Sequence, residues 1–245
     1  MATSKIESAS LASDAVDNTN IDSTLITAQT EKTSLVDADK FLISDSAASG
    51  ALKYVQKSNL PSGGLQHVST TVTSSGVSSF YINNCFSSSY QNYMVIFQNI
   101  RTNSDCNVRI RFASSGSSDS SNSYAWVGMG IRRGGTNADY YSNGTDSSLI
   151  IFKSLDGTDG GSQAFGVFYI SSPFVSTLAQ KRLTGTAQIP FNSVSDTTTY
   201  NVGGDWRGSA TSFDGLQILT DSGTFRSGST SDGEGLIKIY GIVDS

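Results

Sequence analysis

The sequence predicts an all-β fold, a jelly-roll-like antiparallel β-sandwich preceded by a short N-terminal helical or extended stem and a small β-hairpin. Short apolar runs recur through the second half of the chain, and several alternate apolar with polar residues, as strands with one buried face do. The segments between the runs are rich in Ser, Gly, Asn and Asp, and such segments belong in solvent on a rigid scaffold. Helical periodicity is missing from residue 65 onward. The runs are residues 94–97, 108–112, 149–152, 166–170, 216–219 and 236–242.

Residues 1–33 form the first section, a predicted docking or oligomerisation segment. They are small and polar, and their helical spacing is weak, with Leu11 four residues before Ala15 and Ile21 four before Leu25. No continuous apolar face results. An isolated helix of this kind does not hold in water without partners. We therefore expect this segment either to stay disordered until it docks or to join an oligomeric bundle.

Residues 34–64 form the second section, a predicted β-hairpin connector and linker. Residues 40–44 and 51–55 read as strands, and the small residues between them end in Gly50, which suits a tight turn. Two strands alone are marginal in water, so the hairpin needs a neighbour or copies of itself. Residues 61–64 then break the pattern with Pro and Gly.

Residues 65–245 form the third section, the predicted sandwich. Residues 72–82 are expected to supply one or two opening strands, and residues 236–242 the closing strand, whose mixed alternation suits a sheet packed on one face and partly covered on the other. Gly128 and Gly130 nearly spell a dinucleotide-binding fingerprint, but no helix follows. We interpret them as part of a strand with close packing or a bulge.

Composition excludes several classes of function. The chain has 245 residues with 37% hydrophobic and 15% charged, which suits one large β domain with an appendage and not a disordered polyelectrolyte. The net charge is −5 and no basic cluster occurs, so nucleic acid is not an expected partner. No stretch approaches the length of a signal sequence core or a membrane span, so synthesis in a cytosol and no membrane insertion are expected. Cys85 and Cys106 are interpreted as two half-buried thiols, although a disulfide is geometrically conceivable.

Residues that could do chemistry are few. His67 lies beside the predicted linker, where a solvated role is expected, not a triad or a zinc site. Asp156 with Asp159, and Asp232 with Glu234, are carboxylate pairs that a glycosidase could use, but acids next to Gly usually form turns. A calcium loop at Asp156 would lack regular ligand spacing. No enzyme activity, metal or cofactor is therefore predicted.

Aromatic residues in or beside the predicted loops are the candidates for binding. Aromatic faces stack on sugars and pack against proteins, and nearby carboxylates, amides and Arg orient hydroxyl groups. Trp126 is interpreted as a core residue, whereas Trp206, bounded by Gly204 and Gly208, is the preferred surface candidate. The predicted ligand or receptor-binding residues are Tyr124, Tyr140, Tyr141, Asp205, Trp206 and Arg207.

Six segments carry a resemblance to a known group of proteins: residues 30–35, 39–45, 52–60, 93–97, 108–112 and 237–242. The first three resemble a module near the N-terminus of tail-fibre-type virion structural proteins of marine bacteriophages, the cyanophage and pelagiphage kind. The last three look like the β-sandwich that often follows this module.

The resemblance implies a non-enzymatic virion protein made in the host cytoplasm and exposed on the particle exterior. It implies an N-terminal segment that contacts other virion proteins, a homotrimer, and a β domain that meets a host-surface glycan or protein. We expect a tail fibre or receptor-binding spike. A capsid-associated head fibre or decoration protein is the alternative, and a surface-glycan depolymerase is the third.

Overall fold

The computed structural model describes residues 35–36, 38–48, 51–57, 64–132, 138–157, 163–190, 197–226 and 235–243. The chain divides into two compact units, Met1–Pro61 and Ser62–Ser245. The predicted stem, residues 1–33, lies outside the described residues, as does most of the predicted linker.

The first unit contains an antiparallel hairpin of β1 (Lys40–Asp45) and β2 (Ala51–Gln56). A short 3₁₀ turn, Ser46–Ala48, begins the connection between them, and the Asp45 side chain caps it by accepting the Ala47 amide at 2.9 Å. Leu42 pairs with Tyr54, and both side chains are well exposed. The hairpin thus presents an apolar cross-strand pair to its surroundings.

The second unit consists of two antiparallel sheets. The larger has eight strands in the order β3-β15-β5-β11-β12-β13-β8-β9, and the smaller has the order β10-β6-β14-β4 with β7 paired to β6. The strands are β3 (Leu65–Val72), β4 (Ser79–Ile82), β5 (Asn92–Ile100), β6 (Cys106–Ser114), β7 (Ser117–Ser118), β8 (Tyr124–Arg132), β9 (Ala138–Asp146), β10 (Leu149–Leu155), β11 (Ala164–Ser171), β12 (Lys181–Pro190), β13 (Thr197–Trp206), β14 (Gly215–Thr220) and β15 (Leu236–Ile242).

The inward faces of the two sheets share one core. Alternate residues of each strand point into it, as the period of two requires. Phe97, Phe152 and Phe168 meet edge to face at its centre, with ring centroids 5.6 to 6.0 Å apart. Gly128 and Gly130 leave room for the rings of Tyr141 and Tyr200, because a Cβ on either glycine would lie 2.0 to 2.2 Å from a ring carbon. These glycines are therefore close-packing positions within β8.

The all-β, antiparallel prediction is confirmed, and the hairpin strands lie where the pattern placed them. The opening differs from the prediction: β3 ends at Val72 and β4 begins at Ser79, so the sandwich starts earlier than residue 72. His67 accordingly lies in β3, not beside a linker. The Ser-rich segment at 114–123 is also more ordered than expected, since it contributes β7.

Candidate functional site

The outer face of the smaller sheet is polar, and its charges are matched within the protein. On β6, Arg109 donates to the Asp146 carboxylate at 3.0 Å and to the Ser148 hydroxyl at 3.1 Å. Arg111, two residues on, donates to the backbone carbonyl of Ser147 at 2.8 Å. These contacts tie β6 to the turn between β9 and β10, which gives them a structural role.

Asp146 is the centre of this network. Burial acts to raise the pKa of its carboxyl group, but hydrogen bonds from the Trp126 indole, the Ser147 amide and Arg109 outweigh burial and hold the pKa below its usual value. The Trp126 Nε1 donates to Asp146 Oδ2 at 3.0 Å. The carboxylate is therefore ionised and fully used in holding the strands.

The outer face of the larger sheet is different, because it exposes apolar side chains. Ten large hydrophobic residues are exposed among the described residues of the second unit, and eight of them lie on this face. Soluble proteins rarely leave a contiguous apolar surface of this kind without a binding role. The eight are Leu65, Val72, Val127, Met129, Ile131, Tyr140, Phe165 and Tyr169.

Most of these side chains form two ridges that run along the strands. The first ridge is Phe165, Val167 and Tyr169 on β11, and the second ridge is Val127, Met129 and Ile131 on β8. Strands β12 and β13 lie between them, so the ridges are three strand spacings apart, about 14 Å. The two ridges enclose a trough.

The floor of the trough is made of short polar side chains. Outward positions of β12 and β13 alternate with buried ones, and the outward positions carry hydroxyl and amide groups. At Gly203 there is no side chain, and a Cβ built there would meet nothing within 4 Å. The trough is therefore deepest at this glycine. The floor residues are Thr184, Thr186 and Gln188 on β12, with Thr199, Asn201 and Gly203 on β13.

One end of the trough carries charge. Here Arg182 on β12 pairs across the sheet with Asp205 on β13, and Arg207 Nε binds Asp205 Oδ2 at 2.8 Å. These three residues, the charged end, line an open cavity of about 960 Å³ together with Tyr169, Val127 and Gly203. Arg207 is 57% exposed, so its guanidinium faces solvent. The trough thus combines hydrogen-bonding groups, apolar walls and a guanidinium-rich end.

No protein-family model matches the chain. No curated protein and no solved structure matches it either. What the chain does must therefore be inferred from the chemistry of the trough.

Three of the predicted binding residues are core residues. Trp206 is 2% exposed, and its Nε1 donates to Asp119 Oδ2 at 2.8 Å, so the expectation of an exposed tryptophan in a glycine-bounded loop is wrong. Tyr124 is fully buried, with its hydroxyl donating to the Asp119 carbonyl at 3.0 Å. Tyr141 is 8% exposed and covers Gly128. All three lie at inward positions of strands, which the surrounding loop-like composition concealed.

The other three predicted residues lie on the outer face of the larger sheet. Asp205 and Arg207 line the cavity, and Tyr140, opposite Met129 in the register, is 71% exposed beside the second ridge. Trp126 was assigned to the core, yet it is only partly buried and it lines the cavity. The predictions for the two tryptophans are thus reversed.

Sequence reasoning missed Tyr169, Arg182 and Gly203. The signal was present for Tyr169, because the run at 166–170 alternates and places it opposite the buried Phe168 and Ile170. Arg182 and Gly203 lie in β12 and β13, whose outward Thr and Asn residues kept both segments from reading as strands. A strict count of alternate positions would have found both.

The remaining candidates for chemistry do not converge on a site among the described residues. His67 is exposed on β3, where a ring nitrogen is 2.8 Å from Thr70 Oγ1. Asp156 is only 5% exposed, and Asp159, Asp232 and Glu234 lie outside the described residues. Over the described ranges, no group of three His, Cys, Asp or Glu side chains could hold a metal ion.

Cys85 and Cys106 are free thiols, and both are buried, which answers the question left open by the sequence. Burial raises the pKa of Cys85 to about 12 and that of Cys106 to about 11. Both are therefore neutral and inert at physiological pH. In the part of the chain that the structure describes, no helix is long and apolar enough to cross a membrane.

Proposed function

We propose that the protein is a non-enzymatic virion structural protein, a tail fibre or receptor-binding spike, whose trough binds a glycan of the host surface. One observation carries this proposal: a hydroxyl- and amide-lined floor runs between two apolar ridges. A polysaccharide offers hydroxyl groups to such a floor and its C–H faces to such ridges. Tyr169, in the deep part of the trough, supplies an aromatic face for stacking.

The polar floor favours a glycan over a second protein sheet. A protein face seated on the ridges would bury Thr186, Asn201 and their neighbours, and each buried polar group without a partner costs free energy. A sugar chain brings its own donors and acceptors along its whole length. The trough extends along strands of ten residues, about 33 Å, which suits an extended polymer.

The arrangement around the trough is part of the same proposal. The second unit is a jelly-roll-like sandwich, and the N-terminal stem of residues 1–33 contacts other virion proteins on the particle. The hairpin of the first unit supports a homotrimer, since its exposed Leu42 and Tyr54 are a pair that copies of the chain would cover. Three troughs on one trimer add through effective concentration, so a weak single site suffices for attachment.

Filling the trough tests the proposal. Gly203→Leu places a side chain into open space above the floor and is expected to weaken binding to cells that the phage infects by about tenfold or more. Gly203→Ala, the matched control, leaves most of the trough open and should bind within about twofold of the parent protein. The measurements are saturable binding of labelled full-length protein to those cells and competition with phage adsorption.

The other candidate functions give different results in the same experiment. Saturable binding to purified capsids with unchanged phage adsorption would move the protein to the head, as a fibre or decoration. Shortening of the isolated surface polysaccharide would identify a depolymerase. Equal cell binding by Gly203→Leu and Gly203→Ala would show that the trough is not the contact surface.

A further inference from the structure

The charged end of the trough has an unequal balance of charge. Asp205 is engaged by Arg207 at 2.8 Å, while Arg182 Nη2 donates to the neutral amide oxygen of Gln180 at 3.2 Å. Two guanidinium groups therefore face one carboxylate. Among the described residues that line the cavity these are the charged ones, so the cavity carries a net positive charge. The chain as a whole has a net charge of −5, so this end is locally opposite in sign.

Resting on the proposed function, we infer that the charged end selects acidic glycans, in which a sugar carboxylate binds Arg182. The planar guanidinium presents paired N–H donors that match the two oxygens of a carboxylate. The ligand class is thus a polysaccharide with uronic-acid-type residues, and a neutral polysaccharide binds the same trough more weakly.

The register places the parts of this site at the right separation. Tyr169 pairs with Thr184, and Ser171 pairs with Arg182, so Tyr169 and Arg182 are diagonal neighbours on one face, about 7 to 8 Å apart at Cα. A sugar ring stacked on Tyr169 directs a substituent toward Arg182. Gly203, directly opposite Thr184, leaves the space that the ring occupies. Stacking and charge recognition therefore belong to one sugar unit.

Asp205 tunes the site through Arg207. Its carboxylate is mostly buried, with 16% of the side chain exposed, whereas Arg207 is largely in solvent. In Asp205→Asn the carboxylate is replaced by an amide of nearly the same shape, which removes the local negative charge and frees Arg207. Affinity for an acidic glycan is then expected to rise, and a rise is not produced by misfolding.

The test compares two oligosaccharides that differ in charge alone. Oligogalacturonate of about six units and its carboxyl-reduced galactose counterpart are titrated calorimetrically into the full-length protein. The acidic form is expected to bind about fivefold tighter, a modest factor because the guanidinium is exposed. Arg182→Gln should abolish that preference and leave galactan binding unchanged, and Asp205→Asn should widen the preference severalfold.

Lys238→Gln is the control for general electrostatics. Lys238 has the same charge on the same face, but it lies on β15, three strands from β12 and outside the cavity. Equal losses in Arg182→Gln and Lys238→Gln, or equal binding of both oligosaccharides by the parent protein, would overturn the inference and leave the glycan trough standing. Failure of both oligosaccharides to bind, with parallel loss of cell binding absent in Gly203→Leu, would overturn the proposed function itself.

Discussion

The two tryptophans show how much depends on which face of a strand a residue occupies. Both indole N–H groups bind an aspartate: Trp206 holds Asp119 in the Ser-rich segment, and Trp126 holds Asp146 at the end of β9. Trp206 also packs edge to face on Phe213 at 4.8 Å, inside the core. The aromatic ring fixes a polar loop from within, so an aromatic flanked by glycines is here a structural anchor and not a contact residue.

The two buried thiols lead to a prediction at the residue scale. Burial raises the thiol pKa values in the folded protein, whereas the unfolded chain ionises them near 9.0. The unfolded state therefore loses protons first as the pH rises, and the free energy of unfolding should fall between about pH 9 and the folded values of about 12 and 11. Urea unfolding at pH 7 and pH 10 measures this fall.

A variant with Cys85→Ala and Cys106→Ala provides the reference, since it should lose less stability over the same pH interval. Thiol reagent should label neither cysteine in the native protein at pH 8 and both after unfolding. Labelling of the native protein would contradict the burial of the two thiols.

Adjacent glycines in β13 carry a prediction at the scale of the element. Gly203 points outward into open space, whereas a Cβ on Gly204 would lie 2.7 Å from Leu149 Cδ2 and 2.9 Å from the Ala125 carbonyl. Gly203→Ala should keep or raise stability by about 0.5 kcal/mol, because it removes backbone freedom from the unfolded chain. Gly204→Ala should lower stability by about 1 to 3 kcal/mol through overpacking. Equal effects in thermal unfolding would contradict the assigned strand faces.

Strand β13 also shows why part of the fold could be predicted and part could not. Runs such as 149–152 and 216–219 stand out because both alternating positions are apolar or buried. In β13 the inward positions carry bulky residues, but the outward ones are Thr, Asn and Gly, so the average composition resembles a loop. The trough exists because those outward residues are short and polar. The property that makes the site also hid it from an average of hydrophobicity.

At the scale of the whole molecule, the sequence pointed to loops as the contact surface, and the structure points to a sheet face. The smaller sheet matches its own charges through Arg109 and Asp146, while the larger sheet leaves its ridges uncovered. Which sheet is left uncovered depends on strand order, which no local pattern encodes: β15 lies between β3 and β5, and β13 lies between β12 and β8. The all-β class followed from composition, and the location of the site required the topology.

The oligomeric state gives a prediction that separates the hairpin from the trough. Leu42→Asp places a charge in the exposed pair with Tyr54 and should convert the proposed trimer to a monomer, because three copies would have to bury that charge. Ile131→Asp, on the second ridge, should leave the mass unchanged. Leu178→Asp, at an exposed aliphatic side chain away from both surfaces, is the control. Light scattering on the full-length variants after size-exclusion chromatography reports the mass directly.

The outcome bears on what the apolar ridges are for. A monomer from Leu42→Asp with an intact oligomer from Ile131→Asp would leave the trough free for a glycan on every copy. Dissociation by Ile131→Asp would instead assign the outer face to contacts between copies, with the polar floor satisfied by the neighbouring chain. In that case the hydroxyl and amide groups of β12 and β13 would be buried in the oligomer, and filling the trough at Gly203 would change its mass before it changed its binding to cells.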